Sequence, residues 1–158
     1  MEIKLPDGFH FYELDPEVDA QLVSETWLHR RDDDVHFTRG KLKYLPSAGI
    51  KFGDQLVAFE MVCPSGSMNH LYTLPEFRGK GLGTAVELKL CQKLIAMDFW
   101  PFKRAVIENT KMIEMSRKLP YWKEIEDGTT KEPIIVDCRH VKHRSLGTPI
   151  ETSFRHKN

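Results

Sequence analysis

Cysteine is scarce in this 158-residue chain. Cys63, Cys91 and Cys138 are odd in number and far apart, with no Cys-x-x-Cys spacing. That argues against a disulfide framework or a structural zinc site and leads us to expect a reducing, intracellular setting. The seven histidines contain no His-Glu-x-x-His pair; His140 and His143 have helical ligand spacing but stand in a polar stretch, where they read as solvated. We therefore expect no metal. Net charge is missing too: 23 Lys plus Arg balance 23 Asp plus Glu. A nucleic-acid partner needs a surplus of cations, so that class is disfavoured. No apolar run reaches the roughly 18 residues of a membrane helix. Met1 to Asp19 carries six acidic residues and no apolar block, unlike a secretory signal or a basic transit peptide, so a cytoplasmic location is expected over a mitochondrial one. Internal repeats and low-complexity blocks are also absent. What remains is 41% hydrophobic and 29% charged, enough apolar material for one core.

The pattern along the chain predicts alternating elements. Phe9 to Leu14 reads as a strand, and Asp15-Pro16-Glu17 as a helix start, followed by Val18, Leu22, Val23, Thr26 and Trp27 on one helical face. His29 to Asp34 is all charged and reads as a solvated turn. Phe37, Lys41 and Tyr44 align on a second short helix weakened by Gly40. Strands are expected at Ala48 to Phe52, Gln55 to Cys63 and Ser67 to Leu74; the middle one is apolar on both faces, which suits a central strand. Leu82, Ala85, Val86, Leu90 and Leu94 mark a long helix. Phe102 to Glu108 is a strand candidate, Thr110 to Leu119 a helix ended by Pro120, and Pro133 to Val141 a last strand. From Lys142 onward the composition is polar and basic, with Arg139, Lys142, Arg144, Arg155 and Lys157 set against Glu151, which predicts a folded domain over residues 1–141 and a solvated tail over 142–158. Antiparallel hairpins early and helical crossovers late give a mixed sheet covered by helices, an α/β layer architecture.

The densest chemical signal lies between the third hairpin strand and the long helix. Arg78-Gly79-Lys80-Gly81-Leu82-Gly83-Thr84 places three alternate glycines directly before a helix. Glycine lets consecutive amides turn toward one point, and the helix adds its own unpaired N–H groups and positive end. Such a loop suits a phosphate or diphosphate, with Arg78 and Lys80 adding charge at the rim. The spacing fits neither the Walker loop nor the dinucleotide fingerprint.

Arg78-x-x-Gly81-x-Gly83 between strand and helix resembles the acyl-CoA loop of the GNAT acyltransferase superfamily. Thr73-Leu74-Pro75-Glu76-Phe77-Arg78, Gly81-Leu82, Phe99, Asn109, Met112, Met115, Ser116 and Leu119 together resemble the C-terminal catalytic domain of glycine N-acyltransferases, with looser support from Ala20-x-Leu22-Val23-x3-Trp27 and Pro46. The likeness covers roughly Phe11 to Trp122, the second of that family's two halves. It implies a mixed, mostly antiparallel twisted sheet of about six to seven strands, with helices on both faces and a splayed strand pair holding CoA.

The resemblance also implies roles. The amides from Arg78 to Thr84 (Arg78, Gly79, Lys80, Gly81, Leu82, Gly83, Thr84) would take the diphosphate of acyl-CoA, and the backbone at Leu71, Tyr72 and Thr73 its pantetheine arm. Main-chain N–H groups near Leu71 and Tyr72 would polarise the thioester carbonyl. Asn109 would bond the pantetheine or cap the next helix. A small amine or amino acid, glycine foremost, would attack the thioester directly; a protein or polyamine acceptor, or an acyl-CoA-binding module with little turnover, are the rival readings. Ser116 stands at the position of the thiolate's acid, or simply satisfies a backbone carbonyl. Ser67 stands where that family has its basic glutamate, and a neutral hydroxyl accepts a proton poorly at neutral pH. His70 has suitable chemistry, but regular alternation puts it on the face opposite Ser67, so a β-bulge would be needed. Glu60, Glu108 or a water chain are the other candidates for the base.

Overall fold

The computed structural model describes residues 2–27, 30–31, 33–104, 109–126 and 133–137. Glu108, Cys138, His140, His143, the end of the last strand candidate and the 142–158 tail lie outside these residues. Seven strands form one sheet: β1 Phe9–Tyr12, β2 Ser47–Phe52, β3 Gln55–Val62, β4 Met68–Thr73, β5 Phe102–Arg104, β6 Trp122–Glu126 and β7 Pro133–Asp137, in spatial order β1-β2-β3-β4-β5-β7-β6. All neighbours are antiparallel except β4 and β5, which are parallel. β3 is buried from Leu56 to Val62, as its two apolar faces require. β6 was not apparent in the residue pattern. Its Trp122-Lys123-Glu124-Ile125-Glu126 run is mostly charged, a composition that protects an edge strand.

Helices α1 (Ala20–Glu25) and α2 (Asp34–Tyr44) cover one face; α3 (Leu82–Ala96) and α4 (Thr110–Arg117) cover the other. Beneath α1 and α2, Leu14, Val23, Leu42, Leu56, Phe59 and Met61 form one core. Beneath α3, Ile50, Ala58, Val62, Met68, Val86 and Leu90 form the other.

Three local expectations are corrected. The chain does not enter α1 at Pro16: Asp15 Oδ1 instead accepts from the amides of Glu17 (2.7 Å) and Val18 (3.2 Å), making an Asx turn, and the helix begins at Ala20. Val18 is consequently exposed. In α2 the buried positions are Thr38 and Leu42, while Phe37 and Tyr44 face out. Asp34, read as part of a solvated turn, is the first residue of that helix.

Candidate active site

A short 3-10 turn at Pro75–Phe77 leads from β4 into the glycine loop. Gly79 and Gly81 have φ of 78° and 76°, a left-handed conformation that other L-residues adopt only with strain. Gly81 is the N-cap of α3 and no side chain caps the helix. The Ala85 amide donates to Gly81 O at 3.0 Å, closing the first helical turn. The amides of Leu82, Gly83 and Thr84 precede it as the open end of the helix. These three residues line a cleft of about 710 Å³ that runs between β4 and α4. Arg78 serves differently from expected. Its amide is tied to Pro75 O (3.3 Å), so it does not belong to the anion cradle. Its guanidinium Nε donates to Thr73 O at 2.9 Å and lies over the Tyr72 ring. Lys80 is exposed and is not among the lining residues.

The cleft continues along the edge of β4. Among the described residues, β4 and β5 pair at one position only, Met68 with Lys103, and separate beyond it. The hydrogen-bond phase follows from the Leu74 amide, which donates to Val57 O at 2.9 Å. Antiparallel residues alternate between bonding their partner strand and facing away. Tyr72, opposite Phe59, therefore spends its main chain on β3, while Leu71 and Thr73 turn theirs toward the gap. Of the two amides expected to polarise a carbonyl, only that of Leu71 is free of β3.

Between Asn69 and Tyr72 the strand carries an extra residue: His70 and Leu71 together oppose Glu60. His70 adopts φ 59°, and its amide donates to Asn69 Oδ1 at 2.6 Å instead of to β3. This bulge reverses the parity of the strand. Met68 packs under α3, whereas His70 and Tyr72 pack beside Phe59 under α1 and α2. His70 thus shares a face with Asn69, and the bulge that its candidacy required is present.

His70 is 8% exposed, with Trp27 and Phe59 edge-on to its ring. Its Nε2 lies 3.2 Å from Thr26 Oγ1. That hydroxyl has its own proton directed at the carbonyls of Leu22 and Val23 (3.1 and 3.0 Å), so Nε2–H is the donor and Nδ1 carries the lone pair. Nδ1 is buried and finds no partner among the described residues. Burial lowers the pKa to about 4, against a smaller opposing contribution from the hydrogen bond at Thr26. The imidazole is therefore neutral at neutral pH. It borders a second, smaller cavity of about 210 Å³ with Trp27, Arg31, Phe37, Lys41 and Asn69. Sequence reasoning did not single out Arg31, Lys41 or Trp27 for this role; they meet the β4 residues Asn69 and His70 only in the folded chain.

The remaining candidates separate cleanly. Ser67 is buried and donates to Met68 O at 3.2 Å, a local bond with no reach into either cavity. Ser116 is buried, sits on the cleft wall and contacts Met112 Sδ at 3.7 Å. Asn109 caps α4, accepting from the Met112 amide at 3.3 Å, and also lines the cleft. Glu60 points to the α3 side, opposite His70, and is 2% exposed. Burial pushes its pKa well up, the Glu87 carboxylate adds to this, and Lys103 opposes it.

Residues 52–129 match the model of the FR47-like protein family. Solved structures share the fold at low identity. The chain is 18% identical to a Drosophila protein, with TM-score 0.65 over 85% of this chain and 45% of that one. It is 13% identical to the ribosomal-protein-S18-alanine N-acetyltransferase of Escherichia coli, TM-score 0.59, over 81% and 90% of the two chains. It is 15% identical to the PaiA N-acetyltransferase of Thermoplasma acidophilum, solved with coenzyme A, TM-score 0.55, over 82% and 98%. The fold is that of the GNAT acetyltransferases. No curated protein matches the chain. In this sheet the pair that parts is β4 and β5, and the glycine loop follows the parted end of β4. The chain spans less than half of the Drosophila protein.

Proposed function

We propose that this chain transfers an acyl group from acyl-CoA to the amino group of glycine or another small amine by direct attack. The observation that carries the reading is the set of open amides at Leu82, Gly83 and Thr84, set at the mouth of an unpaired strand edge. Three amides at a helix N-terminus suit a diphosphate. The free edge at Leu71 and Thr73 offers alternating donors and acceptors to an extended, amide-containing arm, as an added strand would use them. The donor's chemistry is a thioester; everything else falls to the protein. Leu71 N–H is placed to polarise the carbonyl, and Asn109 can bond the arm while capping α4.

The acceptor would enter from the opposite face. A cavity of about 210 Å³ suits a small molecule. Arg31 and Lys41 on its wall outnumber the one carboxylate there, Asp34, which accepts from the Arg31 amide; the surplus cation favours an amino acid over a polyamine. His70 Nδ1, with its unshared lone pair, takes the amine proton and passes it to water. The Escherichia coli relative is named for a protein alanine acceptor, so peptides belong in any screen. A second reading, an acyl-CoA-binding module, is favoured by the neutral Ser67 and by the low proton affinity of His70. Several acyl-CoAs, tested against amino acids, amines and peptides with thiol release as readout, distinguish these. Release that rises with glycine or a similar amine supports the transferase. Tight CoA binding with no release across the panel overturns it in favour of the module.

A further inference from the structure

Below the point where β4 and β5 part lies a group of charges that neither cavity's described role uses. Lys103 of β5, 7% exposed, is the register partner of Met68, three residues before Leu71. Its ammonium is hydrogen-bonded to Glu87 Oε1 of α3 and lies 4.4 Å from the centre of the Trp122 ring. Trp122 Nε1 in turn donates to Glu87 Oε2 at 2.8 Å, so both carboxylate oxygens are engaged. Glu60 of β3 completes the group, with Oε2 buried and without a partner among the described residues. Glu87 and Lys103 both open onto the cleft. A buried ion pair adds little to stability over an apolar substitute, and here three strands and a helix converge around one cation at a cavity floor.

We propose that Lys103 holds the negative charge of the departing thiolate, with Glu87 and Trp122 as its positioning residues. The assignment rests on the cleft being the acyl-CoA site. When the amine nitrogen bonds the acyl carbon, the carbon–sulfur bond breaks and its electron pair leaves with sulfur. The nitrogen's proton goes to His70 Nδ1 on the other face. The sulfur leaves as an anion into the low-dielectric floor, where an ammonium with one donor on Glu87 retains two others for it. Burial first and the Glu87 carboxylate second push the Glu60 pKa well up, against Lys103, which disfavours a second carboxylate charge beside that cation. Among the described residues the other cations on the cleft wall, Arg78 and Lys111, are exposed and stand toward its mouth and α4.

The test reads the acidity of the CoA thiol itself, by thiolate absorbance across pH with CoA bound to the whole chain. A thiol on Lys103 should titrate at least one pH unit below free CoA, a tenfold gain in acidity. Lys103→Met should return it to the value of free CoA. Because that change strands Glu87, the double variant Lys103→Met with Glu87→Gln is measured in parallel, its amide still able to accept from Trp122. CoA bound by the wild-type chain with an unshifted thiol overturns the assignment to Lys103. A downward shift that persists in the double variant overturns it too. Failure of the wild-type chain to bind CoA at all would instead overturn the reading of the cleft.

Discussion

At the scale of single residues, Gly81 and His70 carry the most. Gly81 has open space where a Cβ would be, so the demand there is conformational: φ 76° strains any other L-residue by about 1–2 kcal/mol. We expect Gly81→Ala to lower stability by about that much while leaving CoA binding measurable. Gly81→Asp adds an anion beside the open amides and should abolish that binding; calorimetry with CoA reads both, and unchanged affinity in Gly81→Asp removes the loop from the donor site. For His70 the expected signature is in the pH profile. With its pKa lowered to about 4, the imidazole keeps its lone pair until the pH falls to about that value. Once the ionisation of the amine is divided out, the acid limb of kcat/KM should fall near pH 4, and His70→Ala should remove that limb with a loss of 10²-fold or more. A limb near 6.5, or one that survives the substitution, assigns the proton to another group.

At the scale of elements, the bulge in β4 and the cap of α4 decide how the site is assembled. Asn109 accepts from Met112 N as an N-cap does, so Asn109→Ala should cost about 1 kcal/mol in urea unfolding. The same variant should raise KM for acyl-CoA more than Asn109→Asp, which retains the cap. The glycine loop was legible in the sequence because its geometry depends on residues that almost nothing can replace, and the loop is continuous. The bulge was legible only as a requirement. Met68 and Tyr72 have the same parity but lie on opposite faces, and nothing in the linear pattern says which of the intervening residues is extra. The start of α1 was misplaced because Asp15-Pro16-Glu17 serves an Asx turn as well as it serves a helix. β6 escaped notice because a charged edge strand lacks the apolar alternation by which strands are found. The group at Lys103 was beyond linear reading altogether: its members come from β3, α3, β5 and β6, and each alone is an ordinary charge or tryptophan.

At the scale of the whole molecule, two buried groups give stability opposite dependences on pH. His70 is held below its ordinary 6.5, so between 6.5 and about 4 the unfolded chain takes up a proton that the folded chain refuses. Stability falls there as pH falls. Glu60 is held above its ordinary 4.5, so above that pH the unfolded chain releases a proton that the folded chain retains. Stability then falls as pH rises. Glu60→Gln removes the second slope, and its stability relative to the wild-type chain should grow between pH 5 and pH 8. Urea midpoints at the two values check this; a difference constant with pH would mean Glu60 ionises alike in both states.

The single added residue in β4 has one more result, for traffic through the molecule. It sets the His70 side chain and the free edge at Leu71 back to back, so that the two cavities open on opposite sides of one strand. Neither visitor needs to pass the other's doorway. On the proposed reading a donor and an acceptor would be seated together, the used donor withdrawing by the mouth of the glycine loop while the new amide departs under α2.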